Sequence, residues 1–221
     1  MENTKYQYYR FEEKHIKDAQ FIFWKSFKYK VSEEFIKNKY NTSHIDVASI
    51  STIAFDKQKP IAFYGAIPQE FTNNQQTCLV AHACDSYTLP QYQKQGIHYD
   101  LAKKSYESMT QQNVKMAYAF HSKNTYYSTK KLEWKDHENL NRFHLKIKNA
   151  PVSKVLNKLG LKNIVLSKAK QFFEPFLIST HQNPFSKTNL FHQFYNQEFY
   201  NYKDSFNPHF LIQLNNCTFY L

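Results

Sequence analysis

A single glycine joins a strand-like run to a helix-like run in the first half of the chain. The run from Thr77 to Cys84 favours a strand, and the pattern from Ile97 to Met109 favours a helix. Gly96 stands directly before that helix, in a chain of 221 residues that holds only three glycines. A loop that turns at a glycine into a helix presents unpaired backbone N–H groups and the positive end of the helix dipole. The sequence therefore predicts a strand–loop–helix unit that can bind an anion.

The elements around this unit follow one another in a clear order. Strands are predicted at residues 5–11, 48–55, 61–71, 77–84 and 114–120, and helices at residues 12–28, 32–40 and 97–109. Ser32 is the predicted N-cap of the second helix. With a last helix before Trp134, the order is β-α-α-β-β-β-α-β-α. This order predicts a three-strand meander followed by a crossover to a parallel strand.

The loop that contains Gly96 is similar to a known cofactor-binding motif. Gln93, Gly96 and His98 occupy the three key positions of Arg/Gln-x-x-Gly-x-Gly/Ala, the acetyl-CoA-binding motif of the GNAT acetyltransferases, although His98 replaces a small residue. The preceding Thr88-Leu-Pro-Gln-Tyr-Gln resembles the Thr-x-Pro-x-Tyr-Arg of many members. Asp85 lies three residues before Thr88, as an aspartate does in the branch associated with surface-polysaccharide biosynthesis. The resemblance implies an α/β (α+β) fold, with a GNAT-like mixed, splayed central sheet flanked by helices and a C-terminal extension.

A second stretch of the resemblance lies downstream and is less complete. Phe120 and Leu132-Glu133-Trp134 keep the spacing of a Phe-Pro-Asn segment and a Leu-Gly-aromatic segment found in related branches. In many members a tyrosine at the position of Thr129 protonates the coenzyme A thiolate. The chain departs from the family pattern at His98, Ser122, Thr129 and Glu133. These departures leave open a catalytically degenerate GNAT-fold protein that binds a ligand or a partner.

The resemblance implies acetyl-CoA as the co-substrate and a primary amine as the acceptor, which would attack the thioester directly in a ternary complex. An amino sugar or a sugar nucleotide is the preferred acceptor. Backbone N–H groups of the splayed strand would polarise the thioester carbonyl; these belong to Ala83, Cys84, Ser86, Tyr87 and Thr88. The pyrophosphate would lie on Gln93, Lys94, Gln95, Gly96, Ile97 and His98. Gly96 is the residue most expected to lie at the pyrophosphate, because a side chain at this position would crowd the turn.

The resemblance makes three side chains catalytic candidates, each with a structural alternative. Asp85 would orient the amine or accept its proton, or it would only cap the loop. Tyr126 and Tyr127, the tyrosines nearest the family position, would protonate the leaving sulfur, or they would pack on the sheet edge. Strand alternation predicts His82 on the face opposite Asp85, as an interior histidine. Cys84 is either an acyl-relay nucleophile or a small buried residue.

The last third of the chain is predicted to form an extension of the acetyltransferase domain. The boundary is placed between residues 148 and 149, which gives domains 1–148 and 149–221. A helix is predicted at 152–166, and strands at 172–178 and 211–220. Aromatic residues in the segment between these strands could stack on sugars; they are Phe191, Phe194, Tyr195, Phe199 and Tyr200. Alternatively the first four, which have helical spacing, dock a helix on the core.

Composition narrows the partners and the compartment. The formal charge of +11 is spread along the chain and suits any polyanion, including nucleic acid or the phosphates of coenzyme A. No nucleic-acid motif accompanies it, so nucleic acid is disfavoured as a partner.

The cysteines and the apolar runs exclude further features. Cys78, Cys84 and Cys217 lack metal-ligand spacing and an even count, which predicts no disulfide and no metal. A membrane span needs a run of about 18 apolar residues, and the sequence has no such run and no signal-peptide core, so we expect a cytoplasmic protein with no membrane contact. A homodimer is compatible with these features.

Overall fold

The computed structural model describes residues 5–73, 75–120, 125–137, 159–160, 190–206, 211–214 and 217–220. The chain divides into two compact units. The first unit comprises Met1–Trp134 and His181–Pro208, and the second comprises Lys135–Thr180 and His209–Leu221. The predicted boundary between residues 148 and 149, most of the helix predicted at 152–166 and the strand predicted at 172–178 lie outside the described residues. The boundary therefore stays a prediction.

The elements of the first unit follow the predicted order up to Trp134. They are β1 (Gln7–Arg10), α1 (Ile16–Phe27), α2 (Glu33–Lys39), β2 (Thr52–Asp56), β3 (Lys59–Thr72), β4 (Thr77–Thr88), α3 (Ile97–Gln111), β5 (Met116–Tyr118), α4 (Tyr126–Lys131), β6 (His192–Gln193) and α5 (Gln197–Phe206). Short 3-10 turns occur at Glu13–His15, Ser43–Ile45 and Pro90–Tyr92. Ser32 is the N-cap of α2, as predicted, because its hydroxyl accepts the Phe35 N–H at 3.0 Å.

The strands of the first unit form a mixed sheet in the order β1-β2-β3-β4-β5. The neighbours from β1 to β4 are antiparallel, and β5 is parallel to β4 after the crossover through α3. The short β6 adds to the far end of β3, opposite Phe71 and Thr72. In the second unit, β7 (Leu211–Leu214) and β8 (Cys217–Tyr220) form an antiparallel pair. The single run predicted at 211–220 is therefore two strands.

The sheet of the first unit buries both of its faces. On one face, α3 packs Leu101 and Ala102 against alanines of β2, β3 and β4. On the other face, α1 and α2 pack Ile22, Phe23 and Ile36 against β2 and β3. Each large side chain buried in this way contributes about 1.5–3 kcal/mol. The alternating small and bulky residues of β3 thus place α3 on one side and α1 with α2 on the other.

The aromatic segment near residue 190 is arranged differently from the prediction. One of the two alternatives placed Phe191, Phe194, Tyr195 and Phe199 on a single helix that docks on the core, and this placement is wrong. Phe191 precedes β6, Phe194 and Tyr195 follow it, and α5 begins only at Gln197. The Phe194 N–H donates to the Glu70 carbonyl at 2.8 Å and so extends the pairing of β6 with β3. Helical spacing misled here because a short extended segment can carry aromatic residues at intervals of three and four.

None of the helices in the described ranges is long and apolar enough to cross a membrane. The described side chains also contain no group of three or more His, Cys, Asp or Glu that could hold a metal ion.

Candidate active site

The sheet opens on one side of β4. β4 and β5 pair only where Val80, Ala81 and His82 face Met116, Ala117 and Tyr118, whereas β4 continues to Thr88 in its pairing with β3. Beyond His82, the edge of β4 towards β5 therefore carries no strand pairing in the described residues. The N-terminal end of α3 follows this part of β4 in sequence. A gap between two splayed strands, next to a helix N-terminus, is a natural binding cleft.

A β-bulge in β4 lies at this opening. Phe63 pairs with Tyr87 and Gly65 pairs with Cys84, so Tyr64 alone faces two residues of β4, Asp85 and Ser86. Asp85 adopts a left-handed backbone conformation with φ 49°. A bulge bends the strand and re-aims the side chains that follow it. The bulge therefore marks the point where β4 departs from a regular strand.

Gly65 permits the close packing beside the bulge, and sequence reasoning missed it. A Cβ atom on Gly65 would lie 2.5 Å from the Cys84 carbonyl oxygen and 2.6 Å from the Tyr40 hydroxyl oxygen. Any side chain would therefore push the bulge and the C-terminal end of α2 apart. The signal was present in the sequence, because a glycine inside an apolar strand often marks a bulge or a close backbone approach.

The side chain of Asp85 is held by two residues at the end of α2. The Tyr40 hydroxyl donates to Asp85 Oδ2 at 2.9 Å, and the Lys39 ammonium forms an ion pair with the same oxygen. His82 interacts electrostatically with Lys39 and Asp85 as well. The prediction that His82 and Asp85 lie on opposite faces is therefore wrong. The extra residue of the bulge shifts the alternation, so that both side chains lie on the α2 side of the sheet.

The loop before α3 turns at Gly96 into the helix, as predicted. Lys94 (φ 61°) and Gly96 (φ 82°) both have left-handed backbone conformations, and Gly96 is the N-cap of α3. The first intrahelical bond runs from the Asp100 N–H to the Gly96 carbonyl at 3.1 Å. The N–H groups of Ile97, His98 and Tyr99 thus lie in the first turn, where helix geometry leaves such donors without intrahelical acceptors. This arrangement resembles the backbone nests that bind anions.

The reason that we predicted for Gly96 needs correction. A Cβ atom on Gly96 would meet no other atom within 4 Å, so a side chain would not crowd the turn of the protein itself. The constraint is the positive φ, which glycine adopts at little cost. The open space beside Gly96 is nevertheless what a bound pyrophosphate requires, since the backbone must face a ligand there.

The side chains of Gln93 and Gln95 stabilise the loop by hydrogen bonds. Gln93 Nε2 donates to the Thr88 carbonyl at 3.0 Å. The Gln95 side chain donates to the Gln91 carbonyl at 3.2 Å and accepts the hydroxyl of Tyr6. These bonds fix the loop against β4 and against Tyr6, the residue before β1. The glutamine side chains therefore stabilise the turn, while its backbone N–H groups provide the candidate ligand contacts.

The other predicted loop residues differ in how they could contribute. Lys94 is exposed, whereas Ile97 is only 1% exposed and belongs to the core beneath α3, so its side chain offers a ligand nothing. Burial lowers the pKa of His98, and its imidazole is therefore neutral at pH 7. Its ring lies edge-on to Tyr64 with centroids 5.4 Å apart. A cationic contact between His98 and a phosphate is thus disfavoured.

The strand residues Ala83, Cys84, Ser86, Tyr87 and Thr88 lie along the bulged half of β4. Ala83 belongs to the core beneath α3, and the Tyr87 ring stacks on Phe63 with centroids 5.4 Å apart. Burial, followed by the charge of Asp85, raises the pKa of the Cys84 thiol to about 12. A thiol with so high a pKa is a poor nucleophile, so the buried alternative for Cys84 is favoured over an acyl relay.

The two candidate acids lie in the first turn of α4. Tyr126 is 40% exposed and Tyr127 is 83% exposed, and their rings meet edge-on with centroids 5.8 Å apart. The buried Thr129 hydroxyl donates to the Tyr126 carbonyl at 2.8 Å, which commits its proton within the helix. The roles of Tyr126 and Tyr127 stay predictions.

Three residues that sequence reasoning did not assign to the site complete the α2 side of the cleft. Lys39 and Tyr40 contact Asp85 directly, and Lys203 of α5 lies within electrostatic range of the Lys39 ammonium and of the Cys84 side chain. Burial, and then Lys203 and Lys39, lower the pKa of His82 to about 4. The His82 ring stacks on Tyr118 with centroids 4.9 Å apart. Sequence spacing could not reveal this cluster, because its members come from distant parts of the chain.

The comparisons with known proteins agree with this geometry. Residues 7–134, more than half of the 221 residues, match the family model for an acetyltransferase (GNAT) domain. A comparison with curated proteins found no match.

Several solved acetyltransferases share the fold at low sequence identity. An acetyltransferase from Trypanosoma brucei is 14% identical with a TM-score of 0.52, and the match covers 63% of this chain and 99% of that one. Glucosamine-6-phosphate N-acetyltransferase from Arabidopsis thaliana is 8% identical with a TM-score of 0.51, over 65% and 100% of the two chains. AAC(6')-Iy, in complex with a CoA-based bisubstrate analogue, is 14% identical with a TM-score of 0.51, over 65% and 100%. The family match and the splayed mixed sheet together show that the chain belongs to the GNAT family of N-acetyltransferases.

Proposed function

We propose that this protein transfers the acetyl group of acetyl-CoA to the primary amine of an amino sugar or a sugar nucleotide, by direct attack in a ternary complex. The opening between β4 and β5, with the N-terminal turn of α3 beside it, carries the proposal. Such an opening gives the donor thioester access to strand N–H groups, while the helix end holds its phosphates.

The donor would be held mainly by backbone groups. The N–H groups from Gly96 to Tyr99 point out of the N-terminal end of α3, where the helix dipole favours negative charge. The braced loop keeps these donors fixed before the pyrophosphate arrives, which lowers the entropic cost of binding. Lys94 is exposed beside this turn and adds a positive charge. Acetyl-CoA is therefore the expected donor.

The reaction requires little beyond positioning and proton transfer. The amine nitrogen forms a bond to the thioester carbonyl carbon, and the carbon–sulfur bond then breaks. The amine loses one proton, and the sulfur gains one. Backbone N–H groups of β4 between Ala83 and Thr88 would stabilise the negative charge on the carbonyl oxygen. Tyr126 or Tyr127, in the first turn of α4, would protonate the sulfur.

The surroundings of Asp85 and His82 decide which of them could hold the acceptor and which could accept its proton. Both contacts of the Asp85 carboxylate use Oδ2, which leaves Oδ1 to hold and orient an ammonium or a hydroxyl group. His82 is neutral at pH 7, because its pKa is lowered to about 4 by burial and by the nearby lysines. A neutral imidazole has a lone pair that can accept the amine proton. The same low pKa makes His82 a weak base, so Asp85 would orient the acceptor and is the first candidate for the proton acceptor.

The nature of the acceptor rests on resemblance. Asp85 occupies the position found in the branch associated with surface polysaccharides. Two of the solved proteins with this fold are named for amino sugars, as an aminoglycoside acetyltransferase in complex with sisomicin and as glucosamine-6-phosphate N-acetyltransferase. Amino sugars are therefore the first acceptors to screen.

Calorimetric titration with acetyl-CoA tests the donor site. The wild type is expected to bind with micromolar affinity, and Gly96→Asp is expected to abolish binding by placing a negative side chain where the pyrophosphate would lie. Gly160→Asp is a matched control, because Gly160 also has a positive φ (67°) and open space around it. Absence of binding to the wild type would contradict the proposal. Binding without turnover on any amine would support a degenerate, ligand-binding GNAT protein instead.

A further inference from the structure

Lys203 brings a positive charge from the C-terminal part of the chain to the α2 side of the cleft. It lies on α5, whose Tyr202 hydroxyl donates to the Lys39 carbonyl at the end of α2. The Lys203 ammonium is partly buried and lies within electrostatic range of Lys39, Cys84 and His82. It therefore borders the same space as the Asp85 bulge.

The charges in this space do not balance. Asp85 is paired with Lys39, and the side chains of this pair are 25% and 18% exposed. His82 is neutral at pH 7 because its pKa is lowered. Lys203 forms no ion pair or hydrogen bond within the described residues. One uncompensated positive charge thus remains, beside the like charge of Lys39.

The surroundings of Lys203 leave its donors available. The ammonium lies over three rings of its own helix, 5.4 Å from the centroid of Phe199, 5.9 Å from Tyr202 and 5.8 Å from Phe206. Cation–π contacts of this kind offset only part of the cost of removing an ammonium from water. They also use none of its three N–H donors. The site therefore favours a bound anion that supplies both charge and oxygen acceptors.

We propose that Lys203 binds an anionic group of the acceptor, so that the preferred acceptor is an amine that also carries a phosphate or a carboxylate. This inference rests on the function proposed above, because it assumes that the acceptor occupies the space beside Asp85. Lys203 would bind the anionic end of the acceptor and Asp85 its amine or hydroxyl end. The two opposite charges, supplied by α5 and β4, would fix the direction in which the acceptor enters.

Binding of three matched sugars to the full chain saturated with coenzyme A tests this inference. The probes are glucosamine, glucosamine 6-phosphate and 2-amino-2-deoxyglucuronic acid, which differ only at the sixth carbon. The wild type is expected to bind at least one of the two anionic sugars about tenfold more tightly than glucosamine, the size of a charged hydrogen bond. The anionic sugar that binds more tightly shows whether the preferred group is a phosphate or a carboxylate.

The variants separate the role of Lys203 from a general charge effect. Lys203→Met keeps most of the apolar stem and is expected to lose the preference for the anionic sugar, while Lys203→Arg is expected to retain it. Lys17→Met removes an equal charge from an exposed position on α1 and should leave the preference unchanged. Equal binding of all three sugars, or a preference that survives in Lys203→Met, would overturn the inference. Absence of acetyl-CoA binding to the wild type would instead reject the proposed function.

Discussion

Gly65 is restricted by its neighbours, whereas Gly96 is restricted by its own backbone angle. A methyl group at Gly65 would lie 2.5 Å from the Cys84 carbonyl oxygen, and one at Gly96 would meet nothing within 4 Å. We expect Gly65→Ala to lower the free energy of unfolding by about 3 kcal/mol, because the bulge and the end of α2 must move apart. Gly96→Ala should cost only about 1 kcal/mol, from its positive φ. Urea unfolding measures both, and equal losses would contradict the packing argument.

His82 gives the stability of the protein a defined dependence on pH. Burial, and then the charges of Lys203 and Lys39, lower the pKa of its imidazole to about 4 from the usual 6.5. Between these values the unfolded chain binds a proton that the folded chain does not, so stability falls as the pH is lowered. The contribution of His82 is complete above about pH 6.5, and about 2 kcal/mol of it is lost between pH 7 and pH 5.

The difference in unfolding free energy between the wild type and His82→Gln, measured at pH 7 and pH 5, isolates this effect. His15, His44 and His98 also have lowered pKa values, and the subtraction removes their common contribution. The wild type should lose about 2 kcal/mol relative to the variant over this range. An unchanged difference would show that the imidazole titrates as it does in water and does not sense Lys39 and Lys203.

At the scale of elements, the sequence predicted what depends on local pattern. The meander β2-β3-β4, the helix α3 and the cap at Ser32 follow from periodicity, turn residues and hydroxyl capping, and the structure confirms them. The strand–loop–helix unit around Gly96 was also predicted, because an isolated glycine before an amphipathic run is a strong local signal.

What the sequence did not predict depends on contacts between distant elements. The bulge at Asp85 exists because β3 and β4 differ in register, and no single strand contains that information. It reversed the predicted placement of His82 relative to Asp85. Lys203 is more than a hundred residues from the bulge in sequence, and only the docking of α5 beside α2 brings it into range. Side chains that meet through tertiary packing leave no spacing in the sequence.

At the scale of the whole molecule, the family match and the compact unit do not coincide. The match ends at residue 134, yet the first compact unit also includes His181–Pro208. Within that unit β6 pairs with β3, and Tyr202 bonds to the Lys39 carbonyl. The buried side chains of Phe199 and Tyr202 attach α5 to the unit by apolar contact as well. The later segment is thus a structural part of the acetyltransferase unit.

This organisation predicts that the unit can be assembled from two separate chains. Residues 1–134 and a peptide of residues 181–208 should associate when expressed together, because strand pairing and burial of the α5 face survive removal of the intervening chain. Co-purification, followed by thermal unfolding of the pair against residues 1–134 alone, measures this association. A peptide carrying Tyr202→Asp should fail to bind, since it would bury a charge and lose the bond to Lys39. If residues 1–134 were equally stable with and without the wild-type peptide, α5 would contribute nothing to the unit, and Lys203 would have no fixed place beside the bulge.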